Sequence, residues 1–201
     1  MIQKLQPNHR TIHKFLTEIS KDWNVSEKFE VRFLGENKSP STAQFATAAI
    51  DEMVHHTTQM NLTGMNSYVV INPVPNDAPL NVQDRHIKRS FFAYVDADES
   101  EVACRCFDFD LFERSMFVTT GSKPFLRAHA YFRFSEPLDD MQKWTRLQKA
   151  LIAHLKTDPV VHNPSRIMRI PGTVSYPTEK KQRLGYKAEL TKLQIGSAYV
   201  E

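Results

Sequence analysis

The first third of the chain changes from a helical to an extended pattern of apolar residues. Residues 9–23 carry apolar side chains at helical spacing, which places them on one helix face. These side chains are Ile12, Phe15, Leu16 and Ile19. Residues 29–34 alternate between apolar and polar and end at Gly35, which predicts a half-buried strand. Residues 39–42 are typical of a helix start, so we expect the alanine-rich residues 43–58 to form a second helix.

The rest of the chain predicts a group of strands and one long helix. Short apolar runs indicate strands at residues 67–73, 90–95, 115–119, 128–134 and 185–190. A helix over residues 138–156 separates the last two runs, and its apolar residues share one face. They are Met141, Trp144, Leu147, Leu151 and Leu155. Strands with helices to pack on one face predict an α+β domain, but the pattern does not fix the strand order.

The composition is ordinary for a soluble globular protein, with 24% charged and 41% hydrophobic residues in 201. No apolar run approaches the roughly 18 residues of a membrane helix. The N-terminus also lacks the apolar segment of a secretory signal. We therefore expect a cytoplasmic protein with no membrane partner. Cys104 and Cys106 would point to opposite faces of a strand, so we expect two free thiols rather than a disulfide or a zinc site.

The chain has 26 basic and 23 acidic residues, a net charge of +3. This small excess does not by itself identify a nucleic-acid-binding protein. The distribution says more, because the basic residues cluster beside the segments that hold candidate chemistry. The clusters are residues 85–89, Lys123 with Arg127, Arg166 with Arg169, and residues 180–183.

Two carboxylates, Asp96 and Asp98, follow directly on the apolar run 91–95. Side chains two residues apart project from the same face of a strand, close enough to share one hard cation. Polar residues at a strand end are also typical of a turn into solvent. The pattern alone therefore leaves both a metal site and a turn open.

A loop of small residues at 118–122 precedes the predicted strand that carries His129. Backbone N–H groups in such a loop can approach a phosphate closely. The alternation of the strand puts His129 on the same face as Arg127, Tyr131 and Arg133. This histidine is a candidate ligand-binding residue, and a hydrogen-bonded structural histidine is the alternative.

The stretch 158–173 predicts an ordered loop, because it contains prolines, a glycine and two arginines. Asp158 follows the long helix and is either a helix-terminus residue or a third carboxylate that meets Asp96 and Asp98. Arg166 and Arg169 could clamp a triphosphate or pair with acids at the surface.

Together these segments resemble the archaeo-eukaryotic primase superfamily, in particular the RepB-like prim-pol primases of plasmid and phage replication. The first motif of that family is an apolar strand ending in Asp-x-Asp, here residues 95–98. The second is a small-residue loop leading to a histidine on a strand, here residues 119–122 and His129. The third contributes an acid, here Asp158, followed in the phage branch by a stretch like residues 163–173.

The resemblance covers residues 67–192, with one departure from the family pattern. The loop between Gly121 and His129 is longer than the compact form of the family. The resemblance implies a single domain over residues 1–201. In it, a catalytic core at 67–192, with an RRM-like antiparallel sheet flanked by helices, follows an N-terminal α/β helix–strand–helix unit at 1–66.

The resemblance also implies an activity, a DNA primase/polymerase that makes and extends primers in plasmid or phage replication. This enzyme is a template-directed nucleotidyltransferase, with Asp96, Asp98 and Asp158 as catalytic residues that hold Mg²⁺ or Mn²⁺. The nucleotide-binding residues would be His129, Ser122, Lys123, Arg127, Arg166 and Arg169. The partners would be a single-stranded DNA template, nucleoside triphosphates (NTP or dNTP) and a helicase domain or subunit.

Two other functions compete with this one. A non-catalytic RRM-like module that binds single-stranded nucleic acid would need exposed aromatic side chains, for which Tyr131 and Phe132 are candidates. Asp96 and Asp98 would repel phosphate on such a surface unless a metal is bound. A replication-initiator nickase would need a metal-binding histidine pair and a nucleophilic tyrosine, and the sequence has no His-x-His.

Overall fold

The computed structural model describes residues 5–109, 114–196 and 198–200. Its helices are α1 (His9–Ser20), α2 (Ile50–Leu62), α3 (Ser100–Phe107), α4 (Met141–Leu155) and α5 (Glu179–Arg183). Its strands in the first half are β1 (Lys28–Gly35), β2 (Lys38–Ala46), β3 (Asn66–Val70) and β4 (Ser90–Ala97). Those in the second half are β5 (Arg114–Gly121), β6 (Arg127–Leu138), β7 (Ile167–Arg169), β8 (Val174–Ser175), β9 (Glu189–Leu190), β10 (Lys192–Ile195) and β11 (Ala198–Val200).

The two long amphipathic helices lie where the sequence predicts them. The Asn8 side chain caps α1 by accepting the backbone N–H of Thr11 at 3.0 Å. Asp140 caps α4 in the same way, accepting the N–H groups of Gln142 and Lys143. The apolar face of α1 is fully buried, and Trp144 of α4 is buried as well. The predictions for both helices are confirmed.

The second predicted helix begins later than expected. Residues 43–46 belong to β2, an antiparallel partner of β1, and α2 starts only at Ile50. β2 is an edge strand with mostly exposed or half-buried residues, so it lacks the apolar alternation that identifies a strand. Its Pro40 is acceptable there, because an edge strand need not use every N–H group.

Two further elements differ from the sequence prediction. Residues 100–107 form α3, which was not expected, so Cys104 and Cys106 lie on a helix rather than a strand. Both are free thiols. Of the predicted strand 185–190 only the last two residues are extended, as β9, and β10 follows immediately.

The strands form two larger antiparallel sheets. The first has the order β2-β1-β3-β7 and the second the order β11-β10-β5-β6-β4. The second sheet is built on the succession β4-α3-β5-β6-α4, which agrees with the expected antiparallel sheet flanked by helices. The first sheet takes β3 and β7 from the part of the chain after residue 65, so both halves of the chain contribute to it. The α+β fold class is confirmed.

One continuous apolar core joins the two sheets and the helices. It includes Phe15 of α1, Phe33 of β1, Tyr94 of β4 and Trp144 of α4, all completely buried. The Trp144 indole N–H donates to the backbone carbonyl of Phe92 at 2.8 Å, so the largest core side chain also fixes α4 on β4. Among the described helices, none has both the length and the apolar character that a membrane span requires.

Candidate active site

Three carboxylates meet at the end of β4. Asp96 is the next-to-last residue of that strand, Asp98 follows it, and Asp158 follows α4. Each offers an oxygen within 4.8 Å of the oxygens of the other two. Asp98 is exposed, and the other two are half-buried. The chain thus brings together the three acids that the sequence analysis singled out.

The backbone fixes the position of Asp158 relative to the other two acids. Its N–H donates to the backbone carbonyl of Asp96 at 3.0 Å. Lys156, at the end of α4, adopts a left-handed conformation that turns the chain towards β4. The buried Gln148 side chain donates to the carbonyls of both Tyr94 and Val161, which ties this turn to the strand.

The surroundings of Asp96 disturb its ionisation. Burial, followed by the charges of Asp98 and Asp158, raises the pKa of Asp96 to about 7. Arg169 and Lys181 oppose this rise. Oxygen donors of this kind are the ligands that Mg²⁺ and Mn²⁺ prefer, and a bound cation would relieve the repulsion. The donor set therefore fits the ions that the sequence analysis expects.

His129 lies opposite Asp96 in the register of β4 and β6. Its Nε2 is 3.6 Å from Asp96 Oδ1, and its Nδ1 is 3.3 Å from the Tyr131 hydroxyl. Burial, with the charge of Arg169 as a second cause, lowers the pKa of His129 to about 3. The imidazole is therefore neutral near pH 7, and its contact with Asp96 is not an ion pair.

Three of the predicted arginines line the same pocket as the acids: Arg127, Arg166 and Arg169. Arg169 is held in place, because it donates to Asn66 Oδ1 at 2.5 Å and to the Tyr68 hydroxyl at 2.7 Å. Its guanidinium also lies over the Tyr68 ring, 4.8 Å from the centroid. Arg166 donates to the carbonyl of Val160.

Ser122 and Lys123 do not line this pocket. Both are bound instead by the carboxylate of Glu189, which accepts both backbone N–H groups and the Ser122 hydroxyl. The loop that the sequence predicted as a phosphate site therefore already binds a carboxylate of the protein itself, that of Glu189.

The pocket also contains residues that the sequence analysis did not assign to it. Tyr68 and Asn66 come from β3, and Tyr176, Lys181, Tyr186 and Lys187 come from the segment 176–188 between β8 and β9. The basic cluster at 180–183 was the one available signal for that segment. No local pattern indicates that the tyrosines face the pocket, because their position depends on how the β8–β9 pair lies against the second sheet.

Solved structures with the same architecture exist. The AEP domain of the cyanophage S-2L primase-polymerase superposes with a TM-score of 0.66 at 20% identity, over 96% of this chain and 92% of that one. Primase RepB′ superposes at 0.59 with 13% identity, over 90% of this chain and 55% of that one. The RepB′ catalytic domain, solved in complex with initiator DNA, gives 0.57 at 14% identity, over 90% and 84%.

This chain has the fold of an archaeo-eukaryotic primase (AEP) domain. The likeness extends over nearly the full length of the chain and includes the segment before residue 67, where the sequence resemblance was only general. Neither the protein-family models nor the curated protein sequences match the chain. The prim-pol fold expected from the motifs is therefore confirmed by structure rather than by sequence similarity.

Proposed function

We propose that this chain is the catalytic domain of a DNA primase-polymerase that carries out template-directed, metal-dependent nucleotidyl transfer. One observation carries the proposal: three converging carboxylates lie beside a neutral histidine in a pocket whose other charged side chains are cationic. The AEP fold supports this interpretation. The products would be primers and their extensions during plasmid or phage replication.

Asp96, Asp98 and Asp158 would hold Mg²⁺ or Mn²⁺ and act as the catalytic residues. When bound, such ions lower the pKa of the attacking hydroxyl and neutralise the pyrophosphate leaving group. The protein's own contribution is to keep the carboxylates together. It does so through the backbone hydrogen bond between residues 158 and 96, to which neither side chain contributes.

The cationic side of the pocket would bind the triphosphate of the incoming nucleotide. Arg127, Arg166 and Arg169 supply guanidinium groups, which suit phosphate oxygens. If the Tyr131 hydroxyl donates to Nδ1 of His129, the ring proton is on Nε2, on the side of the carboxylates. That N–H could then donate to a phosphate oxygen.

The remaining assignments concern Ser122, Lys123 and two basic clusters, and among these residues Lys181 alone lines the pocket. The exposed side chain of Lys123 would approach the triphosphate from the loop, and Ser122 would hold that loop in place. The basic clusters at 85–89 and 180–183 would contact phosphates of a single-stranded DNA template, in a grip that weakens with salt. A helicase domain or subunit would supply the unwound template.

The test is primer extension and de novo synthesis on single-stranded DNA with Mg²⁺ or Mn²⁺, comparing Asp96→Asn, Asp98→Asn and Asp158→Asn. Each should lower the rate by at least about 100-fold, because even groups that only support a metal ligand contribute roughly 10–100-fold. Asp51→Asn is the matched control, since Asp51 is exposed on α2. A folded Asp96 or Asp98 variant with wild-type activity would refute the metal assignment.

The two competing functions are less well supported. Tyr131 and Phe132, the aromatics considered for base stacking, are 0% and 2% exposed and cannot reach a base. A non-catalytic module could therefore not use these two rings to stack on bases. A nicking assay on supercoiled DNA separates the remaining nickase from the primase, because only the nickase would relax the plasmid.

A further inference from the structure

The side chain of Glu189 is bound by the loop between β5 and β6. The residue itself belongs to β9, 67 residues further along the chain than Ser122. Both of its carboxylate oxygens are 2.9 Å from the Ser122 N. Oε1 also accepts the Lys123 N–H at 3.0 Å, and Oε2 accepts the Ser122 hydroxyl at 2.5 Å. A carboxylate offers about four acceptor positions, so these bonds use most of its capacity.

The same loop holds Arg127, which is only 7% exposed. Its Nη1 donates to the carbonyls of Lys123 at 2.7 Å and Phe125 at 3.1 Å. Its Nη2 is 3.7 Å from Glu189 Oε1, and its guanidinium lies 4.4 Å from the centroid of the Tyr186 ring. A side chain at Gly121 would overlap this guanidinium, so the arginine is packed directly against the glycine backbone.

Glu189 is also ionised under ordinary conditions. Burial alone would raise the pKa of Glu189, but the hydrogen bonds from Ser122 and Lys123 and the charge of Arg127 lower it overall. The carboxylate thus balances the buried guanidinium of Arg127, which lines the same pocket as the three acids. Without it, the exposed loop would lose the acceptor that holds its N–H groups in place. The buried Arg127 would also lose its counter-charge, which carries a cost.

We propose that Glu189 is a positioning residue of the nucleotide site: through the loop and Arg127 it fixes one guanidinium for the triphosphate. The proposal rests on the proposed function, because it takes the pocket as the triphosphate site. It assigns to Glu189 no contact with the nucleotide itself. The carboxylate acts only through the groups it binds, Ser122, Lys123 and Arg127.

The experiment measures the affinity of the full chain for a fluorescent nucleoside triphosphate with Mn²⁺. Glu189→Gln removes the charge but keeps the size, and it should weaken binding by roughly tenfold, about 1.4 kcal/mol. Glu189→Asp keeps the charge and should recover part of that loss. Glu27→Gln is the matched control, because Glu27 is a similarly shielded partner of Arg89 outside the pocket, and its nucleotide affinity should be unchanged.

A double-mutant cycle decides whether Glu189 acts through Arg127. If it does, Glu189→Gln combined with Arg127→Ala should bind no more weakly than Arg127→Ala alone. Full additivity of the two losses would overturn the proposal, as would wild-type affinity in a folded Glu189→Gln chain. If Glu189→Gln does not fold, the Glu189→Asp chain serves in the same cycle. A wild-type chain without nucleotide binding or transfer would instead refute the proposed function.

Discussion

The surroundings of His129 set its protonation state. The side chain is 5% exposed and faces Asp96 on the neighbouring strand. An ordinary histidine next to a carboxylate would gain a proton, but burial and Arg169 keep this one neutral. It can therefore give one N–H to a ligand without adding a charge to the acidic cluster.

We expect His129→Ala to weaken nucleotide binding by about tenfold or more, because a hydrogen bond to a charged group contributes about 1.5–3 kcal/mol. The titration uses a fluorescent nucleotide with Mn²⁺. Tyr131→Phe is the control, since it removes the hydroxyl at Nδ1 and keeps the ring, and it should have the smaller effect. Unchanged affinity in a folded His129→Ala chain would count against a role in binding the triphosphate.

At the scale of single residues, some features of the site can be predicted from the sequence and others cannot. Strand periodicity places Asp96 and Asp98 on one face, and the position of Asp158 after the long helix makes it a candidate third carboxylate. The resemblance to the primase motifs then favours a metal site over a turn and a helix end. The Glu189 contacts with Ser122 and Lys123 could not be predicted at all. They depend on how β9 approaches the β5–β6 loop, and no short-range pattern encodes that approach.

At the scale of the elements, hydrogen bonds to Asp84 join two loops, and one of these loops carries Arg166. Asp84 belongs to the connection between β3 and β4, and it accepts hydrogen bonds from the Ser165 N–H, the Ser165 hydroxyl and the Asn163 amide. Burial alone would raise the pKa of Asp84, but these bonds and the charge of Arg166 lower it overall. The ionised carboxylate therefore stabilises the loop just before Arg166.

We expect Asp84→Asn to lower the free energy of unfolding by about 0.5 kcal/mol at pH 7. An uncharged amide accepts these bonds less strongly, and solvent screens the loss because Asp84 is exposed. A lowered pKa in the folded state gives stability that is full above the unfolded value of 3.8 and is lost as the pH falls below it. The difference between the two chains should therefore shrink from pH 5 to pH 3. Urea unfolding at both values measures it, and a gap that is independent of pH would contradict the role of the charge.

The elements that the sequence predicts correctly are those with a strong periodic pattern. α1 and α4 have apolar faces and capping residues, β4 is mostly apolar, and β6 is a long strand with an apolar stretch. β2 and α3 were missed because one is a polar edge strand and the other is an eight-residue helix. Short elements of this kind are specified mainly by their tertiary contacts.

On the scale of the whole molecule, the pocket lies where the two larger sheets meet. Tyr68 and Arg169 come from the first sheet, and Asp96, Arg127 and His129 from the second. The larger of two core clusters contains residues of both sheets. Ligand binding in the pocket should therefore stabilise the chain as one unit.

We expect Mn²⁺ to raise the melting temperature in a single transition. At a concentration 100-fold above its Kd, a ligand that binds only the folded state adds about 2.7 kcal/mol. For a chain of this size that corresponds to roughly 5–10 °C. Thermal melts with and without Mn²⁺ measure the shift, and Asp98→Asn should remove most of it. A full shift in Asp98→Asn would place the ion elsewhere.

The pocket takes residues from both larger sheets, and this limits how far the domain could be shortened. A fragment starting at residue 67 would keep all three acids but would lose β1, the strand on which β3 pairs. Tyr68 and Arg169 would then stand on an unsupported two-stranded ribbon, which is marginally stable in water. Such a fragment would keep the carboxylates of the proposed metal site but not the rigid frame that holds Tyr68 and Arg169 beside them.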